Sequence, residues 1–305
     1  MFTPLLVGLL ALAPQQTDTT VSVRPSARLE LENFGGSVVI RGWDRNEVRV
    51  RASHGRREPI RVYGGPSSAV VRIEAEGRSG IPRSVDFEIN APAEMSLKLS
   101  GTYTDIDVQG MRGEVDCETT QGDVIVSGGS GRVRLESIQG KVVLSNARGR
   151  IDVSSVNQGI YVKDVSGDVV AESVNGAIIL EGIQSSNVDA ASVNGIIVYD
   201  GTIRDGGNYL MASHNGAIWI VVPERTNAKF SVSTYNGRMD ASFPVTMNRT
   251  ASQRHFSFVI GSGSAEVDIE SFSGGVRLRR PGESRPTFPD VTKSKPKSND
   301  QEHQR

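Results

Sequence analysis

Through the middle of the chain, short runs of alternating apolar and polar residues recur on a fixed beat. Glycine opens these runs at nine-residue intervals, at Gly113, Gly122, Gly131, Gly140, Gly149, Gly167 and Gly176, with Gln158 on the one beat that lacks it. Behind each beat the second and fourth residues are apolar: Val115 and Cys117, Val124 and Val126, Val133 and Leu135, Ile151 and Val153, Ile160 and Val162, Ile178 and Leu180. Alternation of branched aliphatics over about five residues predicts a short strand with one buried face. A fixed short period of such strands predicts a solenoid, in which each coil stacks on its neighbours. Helical periodicity is nearly absent.

Two kinds of unit, A and B, alternate along the chain. The predicted fold is therefore all-β: a single-chain parallel β-solenoid (β-helix) with coils of ~18 residues and two strands per coil. B units open with Ser/Thr-x-Asn/Gln-Gly, as in Ser137-Ile-Gln-Gly140, Ser173-Val-Asn-Gly176, Ser192-Val-Asn-Gly195, Ser213-His-Asn-Gly216 and Thr234-Tyr-Asn-Gly237. Asn-Gly reads as a turn whose residues tolerate positive φ. Stacked coil on coil, these amides predict a hydrogen-bonded ladder ~4.8 Å apart. The sixth residue after each B beat (Gly128, Asn146, Asp164, Gly182, Gly201) predicts a left-handed corner. The sixth after each A beat (Thr119, Ser137, Ser155, Ser173) supplies a hydroxyl to satisfy backbone groups nearby.

The third position should point outward. In A units it is mostly charged: Asp116, Arg134, Asp152, Val170, Asp189. In B units it is apolar: Ile125, Val143, Tyr161, Ile179, Val198 and Trp219, with Ile196 adding a first-position contact. An apolar outer face is covered by the chain itself or an identical subunit, or it docks a partner. These seven residues form the candidate interaction face.

Outside the regular block the pattern loosens. Residues 1–13 read as a secretory signal, with a short apolar run and Ala11-Leu-Ala13 fitting a cleavage site, although no Lys or Arg precedes the run. Residues 14–27 are polar and expected to be loose. A β-solenoid domain is expected over 28–280: less regular over 28–100, regular over 101–199, looser over 200–280. Residues 281–305, rich in Pro, Ser, Lys and Asp, are expected to form a disordered tail.

Composition narrows the function. A net charge of -1 lacks the basic footprint of a nucleic-acid binder. No second apolar run is long enough for a transmembrane helix after signal removal. Cys117 is the sole cysteine, so no internal disulfide forms; at an inward position it reads as a small buried hydrophobe. The nearest approach to a calcium-binding nonapeptide, Gly128-Gly-Ser-Gly-Arg132, has Val133 where Asp is needed. The four histidines are far apart, and no spacing calls for a metal or cofactor.

The segment Asn33-Phe-Gly-Gly-Ser-Val-Val-Ile-Arg-Gly-Trp-Asp44, the later Ser-Val-Asn-Gly beats and the ending Gly261-Ser-Gly-Ser-Ala-Glu-Val-Asp-Ile-Glu-Ser-Phe-Ser-Gly-Gly275 resemble a bacterial putative-adhesin family, a domain of unknown function. The resemblance covers about residues 28–280. It implies an exported β-solenoid in the periplasm, on the cell surface or secreted, and it brings no catalytic residues.

The leading expectation is a non-enzymatic adhesin or envelope scaffold with a protein or glycan partner at the cell envelope, and with self-association through the apolar face as one arrangement. Two alternatives stand beside it. One is a carbohydrate-active β-helix enzyme using the Asp116/Arg134/Asp152 column. The other is a subunit of a larger envelope complex docking through the apolar B face.

Overall fold

The structure is a computed structural model, and it describes residues 15–54, 60–75, 84–246, 248–249 and 254–287. The expected signal at 1–13 and residues 288–305 of the expected tail lie outside the described residues. All described regular structure is β-strand. Consecutive coils pair in parallel and in register: Val133 lies between Val115 and Ile151, and Val142 between Val124 and Ile160. The chain therefore builds two facing sheets, one from A strands and one from B strands. Parallel ladders in which like residues stack are stable here because every coil repeats the same inward aliphatics.

The inward positions are the core. Val115, Cys117, Val133, Leu135, Ile151 and Val153 of the A sheet meet Val124, Val126, Val142, Leu144, Ile160 and Val162 of the B sheet, all buried. The coil is 18 residues long through Val169 and then widens to 19 (Val169 to Val188) and 21 (Val188 to Tyr209). The first extra residue lies between Gln184, still 18 residues beyond its partner Ser166, and Val188. The added space is filled by Tyr199 and Tyr209. Both are fully buried, and their hydroxyls donate to the carbonyls of Thr202 (2.6 Å) and Ser185 (2.8 Å). A buried phenol needs such a partner.

The coil order departs from sequence order at both ends. The first coil strand, Arg28–Trp43, lies between Ser96–Met111 and the later strands Val70–Ala75 and Asp86–Pro92. At the other end, Ala265–Ser271 inserts between Asn208–Ser213 and Ala228–Thr234, and Val276–Arg279 inserts between Ile218–Val221 and Met239–Ala241. Antiparallel strands then close both ends: Glu47–His54 on Asp86–Pro92, and His255–Ile260 on Ala228–Thr234. A solenoid must protect its exposed sheet edges, and an antiparallel cap does so.

Residues 15–22 differ from the loose segment expected there. Gln15–Ser22 is a strand paired antiparallel with Glu47–His54, held by a two-point bond between Arg49 and Asp18 (2.9 and 2.6 Å). Its alternating Thr17, Thr19 and Val21 favour a pleated edge, and an outermost strand keeps a polar face.

Candidate functional site

The Ser-x-Asn-Gly corner carries the most ordered chemistry of the surface. Each hydroxyl of the column is buried and most bond in two directions. Ser137 accepts the Gly140 N–H (2.8 Å) and donates to the Gly122 carbonyl of the previous coil (2.8 Å); Ser213 does the same with Gly216 (2.8 Å) and Gly195 (3.1 Å). The beat glycine is needed for this close approach. A Cβ on Gly140, Gly176, Gly195 or Gly216 would collide with the carbonyl oxygen of the coil beneath. Positive φ, the expected reason, is not the cause: neither these glycines nor the asparagines before them adopt it.

Beside this column the amides form the expected ladder. Gln121 donates to Gln139 (2.7 Å), Asn175 to Asn157 (3.1 Å), Asn194 to Asn175 (2.8 Å) and Asn215 to Asn194 (2.7 Å). At the far corner Gly128, Asn146, Asp164 and Gly182 have positive φ, as expected. Gly201 does not; a register shift pairs it with Ile183 and leaves Gly182 without a counterpart in that coil.

The variable residue of the same turn points into solvent. Ile138, Val156, Val174, Val193, Phe272 and Tyr235 follow one another coil by coil, with His214 between Val193 and Phe272. Each of the six is 37–50% exposed. The C-terminal end of this ridge is a ring stack. His214 and Phe272 lie 4.7 Å apart and 7° from parallel, Phe272 and Tyr235 5.0 Å and 8°, and the Arg254 guanidinium sits 3.9 Å from the Tyr235 centroid. A groove of about 480 Å³ runs beside it, with Ser233, His255 and Glu270 in its walls. Phe34 and Tyr103, edge to face at 5.3 Å, form an exposed aromatic pair near the N-terminal end. Contiguous exposed apolar surface of this kind makes the ridge the candidate interaction site.

The seven residues of the expected B-face site come together as foreseen in register, Ile125 through Val143, Tyr161, Ile179 and Val198 to Trp219, with Ile196 just before its strand. Their accessibility is another matter. Val143, Ile179 and Val198 are only 5%, 4% and 0% exposed. Trp219 is half-buried under Arg277 and Arg279, whose guanidinium carbons lie 4.6 and 5.3 Å from the ring centroid. Arg285, from the segment expected to be an unordered tail, pairs with Glu181 (2.7 Å) and with Asp200 on this same face. Burial works against the charge of Arg285, but the two carboxylates outweigh it and hold the guanidinium protonated.

On the A face, Arg134 stands in register between Asp116 and Asp152. It forms an ion pair with Glu136 of its own strand (3.0 Å). Val170 and Asp189 continue the column. Among the described residues, no three His, Cys, Asp or Glu side chains are placed to hold a metal ion. No described helix is long and apolar enough to cross a membrane.

No curated protein matches the chain. Two solved structures resemble it: a putative cell adhesion protein from Clostridium sporogenes ATCC 15579 (12% identity, 88% of this chain and 99% of that one, TM-score 0.25) and a putative adhesin from Bacteroides fragilis NCTC 9343 (10% identity, 87% and 97%, TM-score 0.40). The Toastrack DUF4097 family model matches residues 15–279, nearly all of the described solenoid, and the chain belongs to that family.

Proposed function

We propose that this protein is an exported, non-enzymatic β-solenoid of the adhesin type that engages a protein partner at the cell envelope through its Ser-x-Asn-Gly corner. The single observation that carries this reading is the alignment of Ile138, Val156, Val174, Val193, Phe272 and Tyr235 as one exposed ridge. Exposed side chains at a turn could be polar at no cost to folding, yet here they are aliphatic or aromatic coil after coil.

The ring stack favours protein over glycan. Phe272 has both faces occupied, by His214 and Tyr235, and Tyr235 has its second face under Arg254. The ring edges of Phe272 and Tyr235 and the aliphatic branches of the ridge remain to meet a partner. Export is supported by the apolar run at residues 1–13. A non-catalytic role is supported by Arg134, whose ion pair with Glu136 lies within its own strand rather than across a cleft.

Binding of the purified full chain to intact cell envelopes, with and without protease stripping, tests the proposal. Val174→Asp/Val193→Asp should lose binding while retaining its circular dichroism spectrum, and protease stripping should remove binding of the unaltered chain. Binding that survives both treatments overturns the proposal.

A further inference from the structure

The B face poses a separate problem from the ridge. It is apolar, in register and outward-facing, yet Val143, Ile179 and Val198 are buried. The chain after the last coil strand turns back towards this face. A turn at 280–283 is closed from both sides: the Arg280 N–H donates to the Glu283 carboxylate (2.9 Å), and the Glu283 N–H to the Arg280 carbonyl (3.2 Å). The Arg280 side chain is anchored on the carbonyls of Val222 and Pro223 (both 3.1 Å) and lies over Phe243.

The turn sends the chain back across the B sheet. Five residues later Arg285, 16% exposed, bridges Asp200 and Glu181. These two carboxylates are register partners on adjacent coils and sit beside Val198 and Ile179. The course therefore runs from the coil of Val276–Arg279 towards lower-numbered coils, across the strands.

The sequence beyond this point matches the face ahead of it. After residue 287 the only large apolar side chains are Phe288 and Val291. An extended chain advances ~3.3 Å per residue and coils are ~4.8 Å apart. Three residues from Arg285 thus span about two coils, and six span about four. A segment that kept this course would bring Phe288 to the level of Tyr161 and Val143, and Val291 to that of Ile125.

We propose that the B face is the docking site for the protein's own C-terminal segment, with Arg285 as the ionic latch and Phe288 and Val291 as apolar anchors. The occupant is this chain in cis, which separates the self-covered face from the exposed ridge.

A nitroxide on Phe288→Cys of the full chain tests this with the B face unaltered. Cys117 is buried and does not compete for the label. The amide signals of Val143 and Tyr161 should broaden beyond detection at low protein concentration, while those of Arg134 and Asp152 on the opposite face remain. Adding Arg285→Glu should restore the lost signals. A second measurement pairs Phe288→Cys with Val143→Cys under mild oxidation, and a reducible crosslink within one chain should form. Broadening on neither face, equal broadening on both faces, or crosslinks found only between chains would overturn the proposal; the last outcome would assign the face to a second copy.

Discussion

The hydroxyl of Ser137 donates to the carbonyl of Gly122, one coil away, at 2.8 Å. The same oxygen accepts the Gly140 N–H of its own turn. One buried atom thus ties the turn to itself and to the coil beneath, and the same holds at Ser192 and Ser213. Glycine at the beat removes the Cβ that would hold the two coils apart. The repeated signature is therefore a stacking device as well as a turn.

Gly176→Ala places a methyl against the Gln158 carbonyl. Inserted volume at a tight backbone contact costs about 1–3 kcal/mol. Gly65→Ala, with nothing near its Cβ position, should change stability little. Denaturant unfolding of the two variants compares them directly.

Ser213→Ala removes the acceptor for the Gly216 N–H and the donor to the Gly195 carbonyl. Leaving such buried groups unpaired costs about 1–3 kcal/mol. Ser213→Thr should retain most of the stability, because Thr234 already fills the same role with the Gly237 N–H (3.0 Å). The midpoint of thermal unfolding, read for both variants, checks the contrast.

Ridge residues should matter for binding and hardly at all for folding. Val174→Thr or Val193→Thr alters a side chain already 40–44% exposed, and such surface changes stay within about 0.5 kcal/mol. A larger loss of stability would show that the ridge is packed against something in the isolated protein.

Cys117 is fully buried, and burial pushes its thiol well above the usual range, with the nearby Asp116 charge adding to the shift. The thiolate is the reactive form. At pH 8 the folded protein should therefore be inert to a thiol reagent such as DTNB, and one thiol per chain should react after denaturation. Prompt reaction in the folded state would mean that the A sheet opens around residues 115–119.

The core was legible because alternation by two has a single reading once one face is buried; Val133 and Leu135 could only point inward. The ridge was missed although its signal was present. Ile138, Val174 and Val193 occupy the variable place of a turn, where polar residues are ordinary, and only their agreement across coils sets them apart. The order of coils at the ends had no local signal. Ala265–Ser271 carries the same inward pattern as its neighbours, so stacking on Asn208–Ser213 or following Ala228–Thr234 in sequence order would satisfy it equally. The apolar B column was readable, but the ion pairs of Arg285 with Glu181 and Asp200 beside it had no signal in the polar segment that carries them.

Electron–electron distances along the ridge test the central claim that coils stack one per ~4.8 Å with the last coil in sequence inserted before its predecessor. Spin labels would replace Ile138 and, in turn, His214, Phe272 or Tyr235. The stacking order places these four, five and six coils from Ile138, giving ~19, ~24 and ~29 Å between backbone positions. Phe272 should therefore lie nearer to Ile138 than Tyr235 does. If Tyr235 proves the nearer, or if the distances fail to grow coil by coil, the account is contradicted.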